Sequence, residues 1–256
     1  MITSAPDVAA LGTLLGIWAH PDDEAYLSGG LMAAARDNGQ RVVCVTATRG
    51  ELGTPDPVAW PPARLAAQRT GELVRCLEVL GVTEHQWLGY RDGACAAVPP
   101  DAAVAQLSAV VERVAPDTVL TFGPDGMTGH EDHRVVSGWV SAAFDRAAPA
   151  GARLLHAAFP HGRAARWSEV DESLGVYLPG YPVVTADDRL AVHLELGPDA
   201  TARKVGALAA QETQTAGLIA GMGLDLYSAW VAEEAFAERL RAAPVAAGSA
   251  ARVMSG

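Results

Sequence analysis

Ala19-His20-Pro21-Asp22-Asp23-Glu24 places one imidazole and three carboxylates directly after the apolar run Leu14 to Ala19. About a hundred residues later a second apolar run, Thr118 to Phe122, opens into Gly129-His130-Glu131-Asp132-His133, with two more imidazoles and two more carboxylates. Neutral imidazole and carboxylate are the ligands of catalytic zinc, which takes about three from protein and leaves a position for water. His20, one of Asp22 and Asp23, and one or both of His130 and His133 meet that requirement. His130 and His133 are three apart, so a helical turn points both to the same side. Carboxylates beyond the ligand count then have work to do. One beside a metal takes a proton from water whose pKa the metal lowers from about 15.7 towards about 7. A histidine that is not a ligand can stay protonated and face a developing oxyanion, with Asp132 nearby to orient it. Hydrolysis follows from these parts. If Asp22, Asp23 and Glu24 merely favoured a helix N-terminus, the acids would be explained, but not two histidine clusters at matched strand ends.

The elements that must bring the clusters together are legible from periodicity. Residues 13–19 read as a buried strand and Asp23 to Asn38 as a helix with acids at its positive end. Arg41 to Thr46 is a second strand. Pro62 to Leu80 is a helix with Pro in its first turn and Gly81 beyond its end. His85 to Leu88 is a third strand, Ala102 to Val114 a helix, Thr118 to Phe122 a fourth strand, His130 to Ala147 a helix, and Arg153 to Phe159 a fifth strand. Strand and helix in alternation imply an α/β, Rossmann-like, mostly parallel sheet flanked by helices on both faces. Such sheets bind ligands at strand C-terminal ends where the strand order reverses. An order 3-2-1-4-5 sets strands one and four side by side at that reversal, with one cluster at the end of each. After residue 160, Leu190 to Leu196 reads as a strand, Ala200 to Ala220 and Trp230 to Ala242 as helices, and the last dozen residues as frayed.

The 256 residues are half apolar, enough for one domain with a sizeable core. A net charge of -11 argues against nucleic acid and for a small-molecule partner. Cys44, Cys76 and Cys95 show neither a disulfide framework nor zinc-knuckle spacing, which fits a reducing cytoplasm. No basic residue precedes the first apolar run and no segment reaches about 18 uncharged apolar residues, so neither a signal peptide nor a membrane partner is expected. A homo-oligomer stays open. Gly217, Gly221 and Gly223 follow a helix rather than a strand and imply no dinucleotide. His85, His156, His161 and His193 are read as structural or exposed.

The two motifs, supported by Thr48 to Gly53, Arg69 to Leu73, Leu80-Gly81-Val82 and Gly89 to Gly93, resemble the LmbE-like, or PIG-L, zinc-dependent deacetylases across roughly the first 160 residues. The resemblance implies removal of an N-acetyl group from an amino-sugar or glycoconjugate. It implies His20, Asp23 and His133 as ligands of zinc, with iron(II) as the alternative metal. It implies Asp22 as general base, His130 as oxyanion and leaving-amine partner, and Asp132 as its orienting carboxylate. Arg69 and Asp92 match positions at which relatives contact the sugar, although Arg69 and Glu72 also have the spacing of a helix-surface pair. Two positions depart from relatives: Thr128 stands where some thiol-glycoside deacetylases carry tyrosine, and Gln211 where a histidine is frequent after Lys204. Both put the substrate, rather than the chemistry, in question. A larger acylated conjugate cut by the same residues is the nearest rival, and a non-catalytic metal- or sugar-binding module is the rival of another class. Residues 161–256 are expected to wall the pocket, with Trp167, Tyr177 and Tyr181 as candidate sugar-stacking surfaces.

Overall fold

The computed structural model describes residues 1–239. Five strands, β1 (Leu14–Trp18), β2 (Val42–Thr46), β3 (Glu84–Trp87), β4 (Thr118–Phe122) and β5 (Arg153–Ala157), alternate with α1 (Asp23–Asp37), α2 (Pro62–Leu80), α3 (Pro100–Val114) and α4 (Glu131–Ala147). The chain continues through β6 (Phe159–Pro160), α5 (His161–Leu174), β7 (Val184–Thr185) and β8 (Leu190–Glu195). It then forms α6 (Pro198–Ala209), α7 (Glu212–Met222), α8 (Leu224–Val231) and β9 (Glu233–Glu238).

The main sheet runs β3-β2-β1-β4-β5-β9-β8. Its first five strands are parallel in the expected order, and β9 and β8 extend it antiparallel. Every residue of β1, β2 and β4 is buried, as strands covered on both faces require. Leu14, Leu15 and Gly16 pair with Thr118, Val119 and Leu120, so β1 and β4 end side by side. Helices flank the sheet, with α1, α2 and α6 packed together and α3 packed on α4. One apolar cluster runs from Ile2 to Phe236 and joins both ends of the described chain. None of the described helices is long and apolar enough to cross a membrane.

Three expectations beyond residue 150 are corrected. Residues 153–159 do not form one strand: β5 stops at Ala157 and Phe159–Pro160 pairs with β7 in a separate two-stranded sheet. The helix expected over 200–220 is two helices, because the chain turns at Gln211, whose backbone (φ −97°, ψ 52°) is not helical. Trp230 lies in the last turn of α8, which ends at Val231, and 233–238 form strand β9 rather than a helix continuing to 242. Residues 240–242 of that expectation, and the frayed last dozen, lie outside the described residues. The Ala- and Glu-rich run Glu233 to Glu238 has helical propensity, but pairing with both β5 and β8 overrides it.

Candidate metal and catalytic centre

The turn after β1 carries the first motif. Asp22 caps α1 with φ 110° and ψ −35°, a backbone region costly for a residue with a side chain. Its N–H donates to Glu24 Oε2 at 3.1 Å, and its Oδ2 accepts from Arg69 Nη2 at 3.2 Å. Glu24 is fully buried and is itself held by Gln211 Nε2 at 2.6 Å. Arg69, 3% exposed, also donates to the Pro21 carbonyl and, at 2.8 Å, to the Gly50 carbonyl. Gly50 has φ 62°, and a Cβ there would collide with the Arg69 guanidinium. Arg69 therefore ties α2 to two loops and to Asp22, and all three of these bonds are internal.

Three donor groups converge at the ends of β1 and β4. His20 Nδ1 lies 3.1 Å from His133 Nε2, and the Asp23 carboxylate lies 3.6 Å from the first and 3.4 Å from the second. The opposite ring nitrogens are already engaged. His133 Nδ1 is 3.0 Å from the Gly126 carbonyl, and the ring stacks on Phe122 at 4.2 Å. His20 Nε2 is 3.1 Å from Asp92 Oδ1 and 3.3 Å from Asp132 Oδ2. Acceptors on those outer nitrogens place the ring protons there, so two imidazole lone pairs and a carboxylate face one another. Such groups repel unless a cation sits between them. Ligands about 2.1 Å from a tetrahedral metal are about 3.4 Å apart, so the donor set fits a divalent ion. His130 also brings a ring nitrogen within 4.8 Å of a ring nitrogen of His20 and one of His133, and its Nδ1 accepts from the Asp132 N–H at 3.2 Å.

Electrostatics tell the same story. Burial opposes charge on His20, yet hydrogen bonds to Asp132 and Asp92 and the field of Asp23 raise its pKa to about 10. Burial, then the charges of His20 and His130, hold His133 well below the usual histidine range. A proton on His20 thus does in the bare chain what a metal ion would do. Burial pushes Asp22 up to about 7 against the pull of Arg69. Asp92 is drawn down to about 2: burial acts the other way, but His20 and the Leu52 N–H outweigh it.

The structure brings His20, Asp22, Asp23, Arg69, Asp92, His130 and His133 onto the wall of one cavity of about 520 Å³. Asp132 stands behind it, and its carboxylate meets His20, Gly93 N–H (2.8 Å) and Cys95 N–H (3.1 Å), whereas only its backbone reaches His130. Thr128 lines the cavity and its hydroxyl lies 3.2 Å from His133 Nδ1. Of the three aromatics singled out beyond residue 160, Tyr177 lines the cavity. Trp167 is buried in the core and Tyr181 packs against Gly129. Arg163 and Trp230 were not anticipated, since neither belongs to a motif and only the fold brings them to the cavity.

Comparison with known proteins gives a consistent picture. Residues 15–144 match the PIG-L family model, described as GlcNAc-PI de-N-acetylase. The chain is 35% identical over 206 residues to a 1D-myo-inositol 2-acetamido-2-deoxy-alpha-D-glucopyranoside deacetylase of Kineococcus radiotolerans, covering 70% of this chain and 55% of that protein. It is 32% identical to the like-named deacetylase 2 of Catenulispora acidiphila over 79% of each chain. The N,N'-diacetylchitobiose deacetylase of Pyrococcus horikoshii shares the fold with a TM-score of 0.57 at 20% identity, over 89% of this chain and 83% of that one. The chain spans about half the length of the first of these curated relatives. With both motifs on the cavity wall and the family model matched across more than half its length, the chain belongs to the PIG-L, or LmbE-like, family.

Proposed function

We propose that this protein is a metal-dependent N-deacetylase acting on a 2-acetamido sugar or its glycoconjugate. The observation that carries the reading is the facing of two imidazole lone pairs and the Asp23 carboxylate beside Asp22, all on one cavity wall. His20 Nδ1, His133 Nε2 and Asp23 would hold a divalent cation, zinc in the first instance with iron(II) as the alternative. When bound, the ion supplies Lewis acidity to an amide carbonyl and lowers the pKa of water.

The remaining steps belong to the chain's own groups. Asp22, with its pKa near neutrality and one oxygen steadied by Arg69, takes a proton as water attacks the acetyl carbon. His130, whose Nδ1 is occupied by the Asp132 N–H, turns Nε2 to the developing oxyanion. Breaking the carbon–nitrogen bond delivers that proton to the leaving nitrogen, yielding acetate and a free amine. Asp132 and Asp92 act through His20, fixing its tautomer and ring plane. The continuous core from Ile2 to Phe236 supports treating the described chain as one domain built around this cavity.

The test is acetate release from N-acetylglucosamine and its glycosides by protein stripped with a chelator and then reloaded with zinc or iron(II). Activity lost on stripping and restored on reloading is expected. Equal acetate release by stripped and loaded protein would refute metal dependence, and silence of the loaded protein on every acetamido sugar would refute the substrate class.

A further inference from the structure

Asp22 is held at two points, its backbone N–H by Glu24 and its carboxylate by Arg69. Both supports are reached from one place far along the chain, the turn between α6 and α7. Gln211 Nε2 donates to Glu24 Oε1 at 2.6 Å, across 187 positions of sequence. Thr213 meets Glu72, one turn along α2 from Arg69, with its hydroxyl at 2.6 Å and its N–H at 3.1 Å. Gln211 and Glu24 are wholly buried, and neither lines the cavity. Whatever Gln211 does for the reaction it does through Glu24 rather than by touching a substrate.

The need for such a brace lies in the backbone of Asp22. Its φ of 110° is a region that a residue with a side chain keeps only where its surroundings over-determine it. The Asp22 carbonyl opens α1, accepting from the Ala25 and Tyr26 N–H groups at 3.0 and 2.9 Å. The other side of the residue is fixed where its N–H meets Glu24 Oε2 at 3.1 Å, so the carboxylate that fixes it must itself be fixed. Two side-chain donors among the described residues reach Glu24 Oε1: the Gln211 amide and, at 3.4 Å, the Cys76 thiol, which also bonds Gln211. A thiol is a weak donor, whereas an amide N–H on a carboxylate is charge-assisted. Gln211 is rigid in turn, since its carbonyl accepts from the Gln214 and Thr215 N–H groups at 2.9 and 3.2 Å and from the Thr215 hydroxyl at 3.2 Å.

We propose that Gln211 is a positioning residue for Asp22: through the Glu24 carboxylate it holds the backbone of the base in the orientation that aims its side chain into the cavity. The inference rests on the deacetylase reading with Asp22 as base, and moves Gln211 from substrate choice to the support of the chemistry.

The experiment measures kcat, KM and bound metal on an N-acetylglucosamine glycoside for the metal-loaded wild type, Gln211→Met, Gln211→His and the exchange of the pair, Glu24→Gln with Gln211→Glu. Gln211→Met keeps the volume and removes the donor. Its kcat should fall about tenfold to hundredfold, the cost of a misplaced reacting group, with KM and metal content within about twofold of wild type. Gln211→His keeps a ring N–H for Glu24 and the exchanged pair restores an amide against a carboxylate, so both should recover most of kcat. Wild-type kcat in Gln211→Met, or a loss that follows metal content or is not recovered by either rescue, would overturn the inference. Amide hydrogen exchange read by NMR tests it without catalysis: the Asp22 N–H should exchange at least about tenfold faster in Gln211→Met while the amides of β4 keep their protection. Equal exchange of the Asp22 N–H in both proteins would overturn the inference. Should Gln211→Met not fold, Gln211→Asn, which keeps an amide but withdraws it from Glu24, carries the same readings. A wild type that releases no acetate from any acetamido sugar refutes the deacetylase reading, and the exchange comparison then decides the brace by itself.

Discussion

The parallel half of the sheet and its antiparallel extension divide the labour of the cavity. In the proposed reaction, the groups assigned to the reacting amide come from the turns at the adjacent ends of β1 and β4. The segment from Phe159 to Ala235 delivers aromatic faces, Arg163 and the buried Lys204–Glu234 pair. Chemistry is thus placed by local sequence on rigid strands, and the enclosing wall by contacts between elements distant in the chain. A relative can change its wall without disturbing its chemistry.

The sharpest way to break this comparison is Asp22→Asn. If chemistry is confined to the parallel half, turnover should fall about 10²- to 10⁴-fold with KM and metal content close to wild type. Metal analysis and steady-state kinetics on the same sample check it. Near-normal turnover would remove Asp22 as the base and return the role to another carboxylate of the cluster.

The next largest effect concerns the joint between the halves. Lys204 Nζ bonds the Tyr26 carbonyl at 2.8 Å and Glu234 at 2.7 Å, while Glu234 accepts from the Gly30 and Leu31 N–H groups of α1 at 2.7 and 2.8 Å. Both side chains are essentially inaccessible. Lys204→Met strands a buried carboxylate and should cost about 3–5 kcal/mol in urea unfolding, with Lys204→Met plus Glu234→Gln recovering part of it. If the single and double variants unfold alike, the pair does not anchor the extension to α1.

The same division explains what could be read from the chain alone. The order of β1 to β5 and both motifs followed from apolar runs, helix-terminal Pro and Gly, and acids at helix starts, which are local signals. Beyond residue 160 local signals mislead. Helix α5 buries only Trp167 and Asp171, so its pattern shows little apolar periodicity. Strand β9 is written in helix-forming residues and exists because β5 and β8 offer edges. Within the site, the meeting of the two motifs on one cavity wall was legible, but the partners of Arg69, Asp92 and Asp132 were not. Each is decided by a loop from another part of the sheet: Pro21 and Gly50 for Arg69, Leu52 for Asp92, Gly93 and Cys95 for Asp132.

Two histidines outside the site probe the halves separately by pH. Burial, then a nearby arginine, lowers His85 and His156 from 6.5 to about 4, with Arg49 acting on the first and Arg239 on the second. His85 sits on β3 at the parallel edge, with Nε2 3.0 Å from the Thr46 hydroxyl. His156 sits on β5 opposite Ala237 of β9, and its Nε2 is buried without a partner. Because the folded pKa lies below the unfolded one, the unfolded chain binds more protons between pH 6.5 and about 4. The contribution of these two histidines to stability is therefore complete above pH 6.5 and falls as pH drops through that window, by about 2 kcal/mol per histidine after allowing for solvent access. His156→Gln should flatten its share of the decline, and so should His85→Gln. Hydrogen exchange at pH 5 should separate the two, because protonating His156 loosens the seam between β5 and β9 while protonating His85 loosens the opposite edge. Uniform exchange across the sheet at pH 5 would mean that the extension and the parallel half open as a single cooperative unit.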